Sequence, residues 1–236
     1  MVEATQERES RPAVADEIFG DRLDSADEYV TILSEEGVLR GLIGPSEPAR
    51  LWSRHVLNSA VLGEAIDPDL RVVDIGSGAG FPGIPLAIAR PDLDVVLVEP
   101  LLRRTTFLDE VVERLSLSNV SVVRGRAEEK PVIAVAGGAD VVTSRAVAPL
   151  DRLARWSAPL IRVGGRLVAL KGRSAADEIT EHAAAASRVG LRDLAVHEVG
   201  VGLIDPPSIV LTATRVETED DRRAAKRAAR RQKRKS

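Results

Sequence analysis

The spacing of apolar residues changes character once along the chain. Up to about residue 65 they recur at helical intervals, and from Arg71 onward short β-branched runs alternate with helix-length segments. Seven runs read as strands: Arg71–Ile75, Asp94–Glu99, Asn119–Arg124, Asp140–Ser144, Arg166–Lys171, Asp193–Val199 and Ile209–Arg215. Helical patterns fill the gaps between the first five and precede the sixth. The clearest spans 101–116 and sets Leu101, Leu108, Val112 and Leu115 on one face. Strand, helix and strand repeated in this way predict right-handed crossovers and a mainly parallel sheet covered on both sides. Only residues 200–207 separate the last two strands, too few for a helical crossover, so these two pair antiparallel at the sheet edge.

Ahead of this alternation, Leu23, Tyr29, Val30 and Leu33 predict a helix that Gly37 ends. A second helix follows Gly44-Pro45-Ser46, with Ser46 as N-cap and Pro48 in its first turn, and runs to about Ala65. These define an N-terminal helical cap over residues 21–66, before a catalytic-size domain over 67–216. Residues 1–20 mix Glu, Arg, Ser and Pro without period and read as a disordered lead-in.

Charge adds one feature. Residues 222–236 hold nine Lys or Arg and no acid, so the remaining 24 basic residues face all 36 acids in an acidic body. The tail, 217–236, reads as disordered, and its paired bases separated by Ala-Ala suit a phosphate surface. No apolar run of membrane-spanning length and no cleavable leader pattern is apparent, which predicts a cytoplasmic protein. With no cysteine and three scattered histidines, thiolate chemistry is excluded and no metal site is expected.

The chemistry concentrates where the first strand ends. Asp74-Ile75-Gly76-Ser77-Gly78-Ala79-Gly80 is a strand end opening into alternating glycines, and Pro82 and Pro85 suit the first turn of a helix. Glycine admits positive φ and lets backbone N–H groups approach a ligand. Ligands of open α/β sheets bind outside the carboxyl ends of the strands, so the other strand ends matter too. Glu99 ends the second strand, 23 residues beyond Gly76, where an acid accepts ribose hydroxyls. A dinucleotide turn reads G-x-G-x-x-G, whereas this one reads G-x-G-x-G with an acid two residues ahead. A carboxylate at Asp74 suits the cationic end of S-adenosylmethionine and repels a pyrophosphate. With the reversed last strand, the whole resembles the class I methyltransferase fold, a Rossmann-like seven-stranded sheet. In that fold the loop after the third strand packs beside adenine, at Ala127 and Glu128. The fourth strand ends in Ser144-Arg145-Ala146 and faces the transferred methyl, and Lys171, ending the fifth, offers a second cation. His55 shares helical spacing with Leu51 and Leu62 and reads as a packed residue.

The segments Asp74 to Pro85, Arg126-Ala127-Glu128-Glu129, Ser144-Arg145-Ala146, Leu170-Lys171-Gly172 and Arg54 to Ser59 together resemble the GidB/RsmG family over about residues 50–215. The resemblance implies an S-adenosylmethionine-dependent methyltransferase acting on N7 of guanine 527 in 16S rRNA of the 30S subunit, without metal or membrane, as a monomer. It carries cofactor binding onto Gly76, Phe81, Ala127, Glu128 and Arg145, beside the Asp74, Gly78 and Glu99 already named. Arg145 and Lys171 are the catalytic candidates, for orientation and charge, because guanine N7 needs no general base. Two alternatives remain open: the same chemistry on another RNA or a small molecule, and a noncatalytic RNA-binding protein on this scaffold.

Overall fold

A computed structural model describes residues 8–223 and 226. Seven strands form one sheet: β1 (Arg71–Ile75), β2 (Asp94–Glu99), β3 (Val120–Arg124), β4 (Ala139–Arg145), β5 (Ile161–Lys171), β6 (Leu191–Val199) and β7 (Ser208–Arg215). Their order is β3-β2-β1-β4-β5-β7-β6. The first five run parallel, and β7 is inserted antiparallel to both β5 and β6. The reversed strand is therefore the last in sequence but not the outermost. The sheet order turns around between β1 and β4, so a crevice opens at their carboxyl ends.

Among the described residues, the α-helical segments that cover the sheet or precede it are α1 (Val14–Phe19), α2 (Leu23–Ile32), α3 (Leu57–Ala60), α4 (Gly83–Ala89), α5 (Leu102–Arg114), α6 (Lys130–Ala136), α7 (Leu150–Ser157) and α8 (Ala175–Arg188). One core joins α1–α5 to the strand face that carries Val72, Val95, Leu97 and Val141. A second joins α6–α8 to the opposite face, with Val73, Ile75, Val96, Val98 and Val142. Because successive strand residues point to opposite faces, this division fixes the strand ends as well. Asp74, Glu99 and Arg145 share parity with Val72, Leu97 and Val141, and so belong to the face covered by the N-terminal helices. Lys171 has the opposite parity.

Four expectations change. The lead-in is ordered where it is described: α1 buries Ala15 and Phe19, and Phe19 meets Trp52 edge-on at 6.2 Å. Six residues are too few to show a period. Gly37 does not end its helix, which runs on to Leu39. Its carbonyl instead accepts from the N–H groups of Leu42 and Ile43, and a Cβ there would stand 3.3 Å from Ile43. The second N-terminal helix changes pitch along its length, from a 3₁₀ turn at Glu47–Arg50 through a π-type turn at Leu51–Val56 into α3 and a final 3₁₀ segment, Val61–Ala65. Ser46 makes no capping bond. On α5 the buried face is Thr105, Phe107, Leu108 and Val111, while Leu101 is exposed. Leu101 has extended φ/ψ and lies outside the helical period.

The N-terminal helices are not a separable cap, because they share a core with α4, α5 and the sheet. The chain after β7 is pinned at its root. Thr218 and Asp221 bond reciprocally, backbone N–H to side-chain oxygen in each direction, and Asp221 accepts both bonds from Arg215 Nη2, at 2.9 and 2.8 Å. Most of the basic tail lies outside the described residues.

Tyr29, fully buried on α2, donates its hydroxyl to the carbonyl of Ala79 at 2.8 Å, tying the N-terminal layer to the turn after β1. Burial raises its pKa, so it stays a neutral donor. Tyr29→Phe leaves that carbonyl without its partner and should cost about 1–3 kcal/mol, seen as a lower urea midpoint at unchanged slope. An unchanged midpoint would show that the bond does not stabilise the fold.

Candidate active site

The turn between β1 and α4 is built so that its outer side stays bare. Gly76, Gly78 and Gly80 have φ of 70°, 61° and 110°. At Gly78 a Cβ would meet nothing nearer than the Gly76 carbonyl oxygen at 3.8 Å, so the missing side chain leaves open space above the backbone. At Gly80 it would strike Ile84 and the Tyr29 hydroxyl, both at 2.7 Å, which makes that glycine a packing requirement.

Beneath the turn, Asp74 is fully buried and its Oδ2 accepts from Gly83 N–H at 3.1 Å, in the first turn of α4. Oδ1 has no partner among the described residues. Burial, with the Glu99 charge adding to it, pushes the carboxyl up to about pKa 7. The structure thus places Asp74 under the glycines as their support rather than on the surface of the crevice. Glu99 is also nearly inaccessible. Its Oε2 accepts from Gly78 N–H and its Oε1 from Leu101 N–H, each at 3.0 Å, and Arg104 Nη1 lies 3.6 Å from Oε2. Two carboxylate lone pairs remain for hydroxyl donors.

Two cavities meet at Gly76. One, of about 150 Å³, is mostly apolar and lies between Val98, Pro100, Ala127, Glu128 and Trp156. The other, of about 430 Å³, runs past Gly78, Phe81, His55, Arg104 and Arg145. The first suits a flat heteroaromatic ring and the second a polar chain. A third and larger cleft, about 1180 Å³, opens beyond Arg145 and is lined by Arg54, Asn58, Arg152, Lys171 and His182 among others. Arg145 and Ala146 line both the second cavity and this cleft.

Arg145 is therefore a partition, and it is held from two sides. Its guanidinium lies over the Phe81 ring at 5.1 Å, and Nη2 donates to Nδ1 of His55. His55 stacks on the same ring at 4.9 Å, and its Nε2 bonds Glu47. Since a guanidinium only donates, Nδ1 is the acceptor and the ring proton sits on Nε2, directed at the carboxylate. Burial and the Arg145 charge bring the His55 pKa down to about 4, so the imidazole is neutral. Burial likewise lowers Arg145 to about 10, leaving it charged.

Of the residues singled out from the sequence, Gly76, Gly78, Phe81, Ala127, Glu128 and Arg145 line the joined cavities, with Asp74 and Glu99 beneath them. Lys171 borders the same large cleft as Arg145, but its bonds go elsewhere. Its Nζ bonds Glu178 on α8 at 2.7 Å and the Ala148 carbonyl at 3.0 Å, while the same Glu178 oxygen accepts from Leu150 N–H at 3.1 Å. The opposite parity of Lys171 on β5 sends it to the α7/α8 side, where it fastens the loop after β4. His55 is buried, as its spacing implied, but packing does not exhaust its role. Glu47 and Trp156 went unnoticed: Glu47 had no motif around it, and Trp156 reaches the small cavity only because α7 folds back across β4. Among the described residues no group of three His, Asp or Glu side chains could hold a metal ion, and no helix is long and apolar enough to cross a membrane.

The two shifted groups predict opposing pH effects. The folded-state pKa of Asp74 lies above its ordinary 3.8, so its stabilisation is complete below about pH 4 and is lost as pH rises through 7. That of His55 lies below its ordinary 6.5, so its contribution is complete above that value and is lost as pH falls through 4. In Asp74→Asn the amide oxygen still accepts from Gly83, and the His55 slope alone survives. The melting temperature of this variant should rise more steeply between pH 4 and 6.5 than that of the wild type. Parallel profiles would show that Asp74 does not hold its proton.

Comparison with known proteins agrees with this geometry. A family profile described as rRNA small subunit methyltransferase G, named GidB, matches residues 22–204. Ribosomal RNA small subunit methyltransferase G of Rhodococcus jostii is 58% identical over 211 residues, 89% of this chain and 92% of the relative. The same-named protein of Corynebacterium efficiens is 55% identical over 204 residues, covering 86% and 88%. In fold, the chain resembles the mitomycin 7-O-methyltransferase MmcR, with TM-score 0.56 and 19% identity over 85% of this chain and 67% of that one. It also resembles M. jannaschii TYW2 solved in complex with AdoMet, with TM-score 0.53 and 19% identity over 70% and 78%. A seven-stranded sheet with β7 reversed, a glycine turn over a buried acid and a family match spanning most of the chain converge: this protein belongs to the GidB family of small-subunit rRNA methyltransferases.

Proposed function

We propose that the protein transfers a methyl group from S-adenosylmethionine to N7 of guanine 527 in the 16S rRNA of the small ribosomal subunit. The observation that carries this reading is the partition at Arg145: one side chain borders both the cavity along the glycine turn and the large cleft open to a macromolecule.

The residues present fit the cofactor. The apolar slot beside Ala127 and Trp156 accepts adenine, Glu99 has acceptor capacity for ribose hydroxyls, and the open backbone at Gly78 admits the amino-acid end. The orphaned Oδ1 of Asp74 leaves an unpaired polar atom under that end. When bound, the cofactor supplies an electrophilic methyl on a sulfonium.

What the chain itself must do is modest. Guanine N7 carries a free lone pair, so no base is needed to remove a proton, and none of the residues around Arg145 is arranged to take one: His55 Nδ1 is occupied by the guanidinium and Nε2 already bears its proton. Holding the base in line supplies roughly 7–11 kcal/mol of barrier reduction. Arg145 suits O6 or a flanking phosphate of the incoming guanosine, its planar guanidinium resting over the Phe81 ring. Arg54 and Arg152, on the wall of the large cleft, suit further phosphates. The basic residues at 222–236 give an acidic body an additional affinity for RNA, which supports a ribosomal substrate.

Two experiments test this. Purified protein with isolated 30S subunits lacking the mark should yield 7-methylguanosine at position 527 by nucleoside analysis. Methylation of another position or another molecule, or none at all, would overturn the substrate assignment. For the cofactor, S-adenosylmethionine at 100 times its dissociation constant should stabilise the wild type by about 2.7 kcal/mol in a thermal shift. Gly78→Val, which fills the open space and strains a positive φ, should abolish that shift, and Glu99→Gln should weaken it. A shift retained in Gly78→Val would refute this placement of the cofactor.

A further inference from the structure

The Phe81 ring lies under the Arg145 guanidinium at 5.1 Å, but a contact with a ring face does not fix where its N–H groups point. That direction comes from His55. Nδ1 accepts from Nη2, and the His55 carbonyl lies 3.5 Å from Nη1, so two of the guanidinium nitrogens are committed to one residue. This holds only while Nδ1 is bare, because the other neutral tautomer would direct a proton at the guanidinium and expel it. Which tautomer is present depends on the far side of the ring, where Glu47 accepts from Nε2.

Glu47 is itself well fixed. Arg50 Nη2 bonds its Oε1 at 2.6 Å, and Arg54 Nε lies 3.9 Å from its Oε2. Burial works to raise its pKa, but the bonds from His55 and Arg50 outweigh burial and leave the carboxyl below its ordinary value, hence ionised. Between the 3₁₀ turn at Glu47–Arg50 and the π-type turn at Leu51–Val56 the backbone leaves helical geometry at Arg50, with φ −151° and ψ 26°, and across this break Glu47 meets His55, eight residues on. Turns of the π type recur at functional sites.

We propose that Glu47 is a positioning residue for methyl transfer: by fixing the His55 tautomer it sets the orientation of the Arg145 guanidinium between the cofactor cavity and the RNA-facing cleft. This rests on the reading of Arg145 given above. Glu47 selects a ring proton, the ring selects a guanidinium orientation, and the guanidinium orients the nucleophile. A displacement of about 1 Å at a positioning group costs on the order of 10²-fold in rate, so the effect belongs in kcat more than in binding.

The test uses the full-length protein, 30S subunits and S-adenosylmethionine. Glu47→Ala should lower kcat roughly 10- to 100-fold, with KM for the subunit changed by less than about threefold. Glu47→Gln, whose amide oxygen accepts the same Nε2–H bond, should recover most of the lost turnover. Independently, long-range ¹H–¹⁵N spectra of histidine-labelled protein have three rings to resolve, and the His55 signal is assigned by its loss in His55→Asn. In the wild type that ring should show a protonated Nε2 and a bare Nδ1, and in Glu47→Ala a mixture of tautomers. Wild-type turnover in Glu47→Ala would overturn the proposal, as would an Nδ1-protonated ring in the wild type or an Ala defect that Gln does not relieve. If Glu47→Ala fails to fold, the Gln variant and the wild-type spectrum still decide. If the wild type methylates no subunit, the function reading fails while the spectra judge the Glu47–His55 coupling by itself.

Discussion

The arrangement of the site depends on one constraint: the turn after β1 must expose its backbone to a ligand while none of its own polar groups is left loose. The turn meets that constraint from below and from the sides. Asp74 holds Gly83 N–H, Ser77 Oγ donates to the Asp74 carbonyl, Glu99 takes the Gly78 N–H and Tyr29 satisfies the Ala79 carbonyl. These bonds come from β1, β2 and α2, so the turn is shaped only when the sheet and the N-terminal layer are both in place. Glycines on the open side then cost nothing in packing, and the cavities on either side of Gly76 follow.

That dependence explains why the N-terminal helices are part of the catalytic body. Trp52, Tyr29, Leu33 and Leu51 are fully buried in the same core as α4 and α5. The segment from Glu47 to Ala65 packs against α4 and presents His55 to Phe81 and Arg145. A stretch that reads as a cap thus supplies a wall of the cavity along the glycine turn through Leu42, Ile43, Glu47 and His55. The walls of the large cleft and of the cavity along the glycine turn are joined by the bonds among Glu47, His55 and Arg145, which suits the alignment-driven reaction proposed above.

Much of the architecture was legible in the chain. Strands β1 and β2 match the expected residues at both ends, because each is a valine-rich run with a proline three residues ahead of it and an acid at or next to its end. The short loop at 200–207 announced the antiparallel pair. The interior glycines and Asp74 announced the kind of ligand. What failed were features shorter or less regular than the periods used to find them: the six residues of α1, the pitch changes between Glu47 and Ala65, and the offset of Leu101 from α5.

By itself, then, the sequence determined the order of elements, the reversed strand, the chemistry of the glycine turn and the family, since all of these are written in local runs and fixed spacings. Only the tertiary structure decided which strand-end side chains meet. Side chains alternate across a sheet with a period of two, so a shift of one residue reverses the face, and register is set by neighbouring strands rather than by the strand's own composition. Arg145 therefore meets His55 and Phe81, while Lys171, one strand away, turns to Glu178 on the other side. The role proposed for Glu47 belongs to the same class: its own partners Arg50 and His55 are near in sequence, but the pairing gains its consequence only where β4 brings Arg145, ninety residues on, against His55.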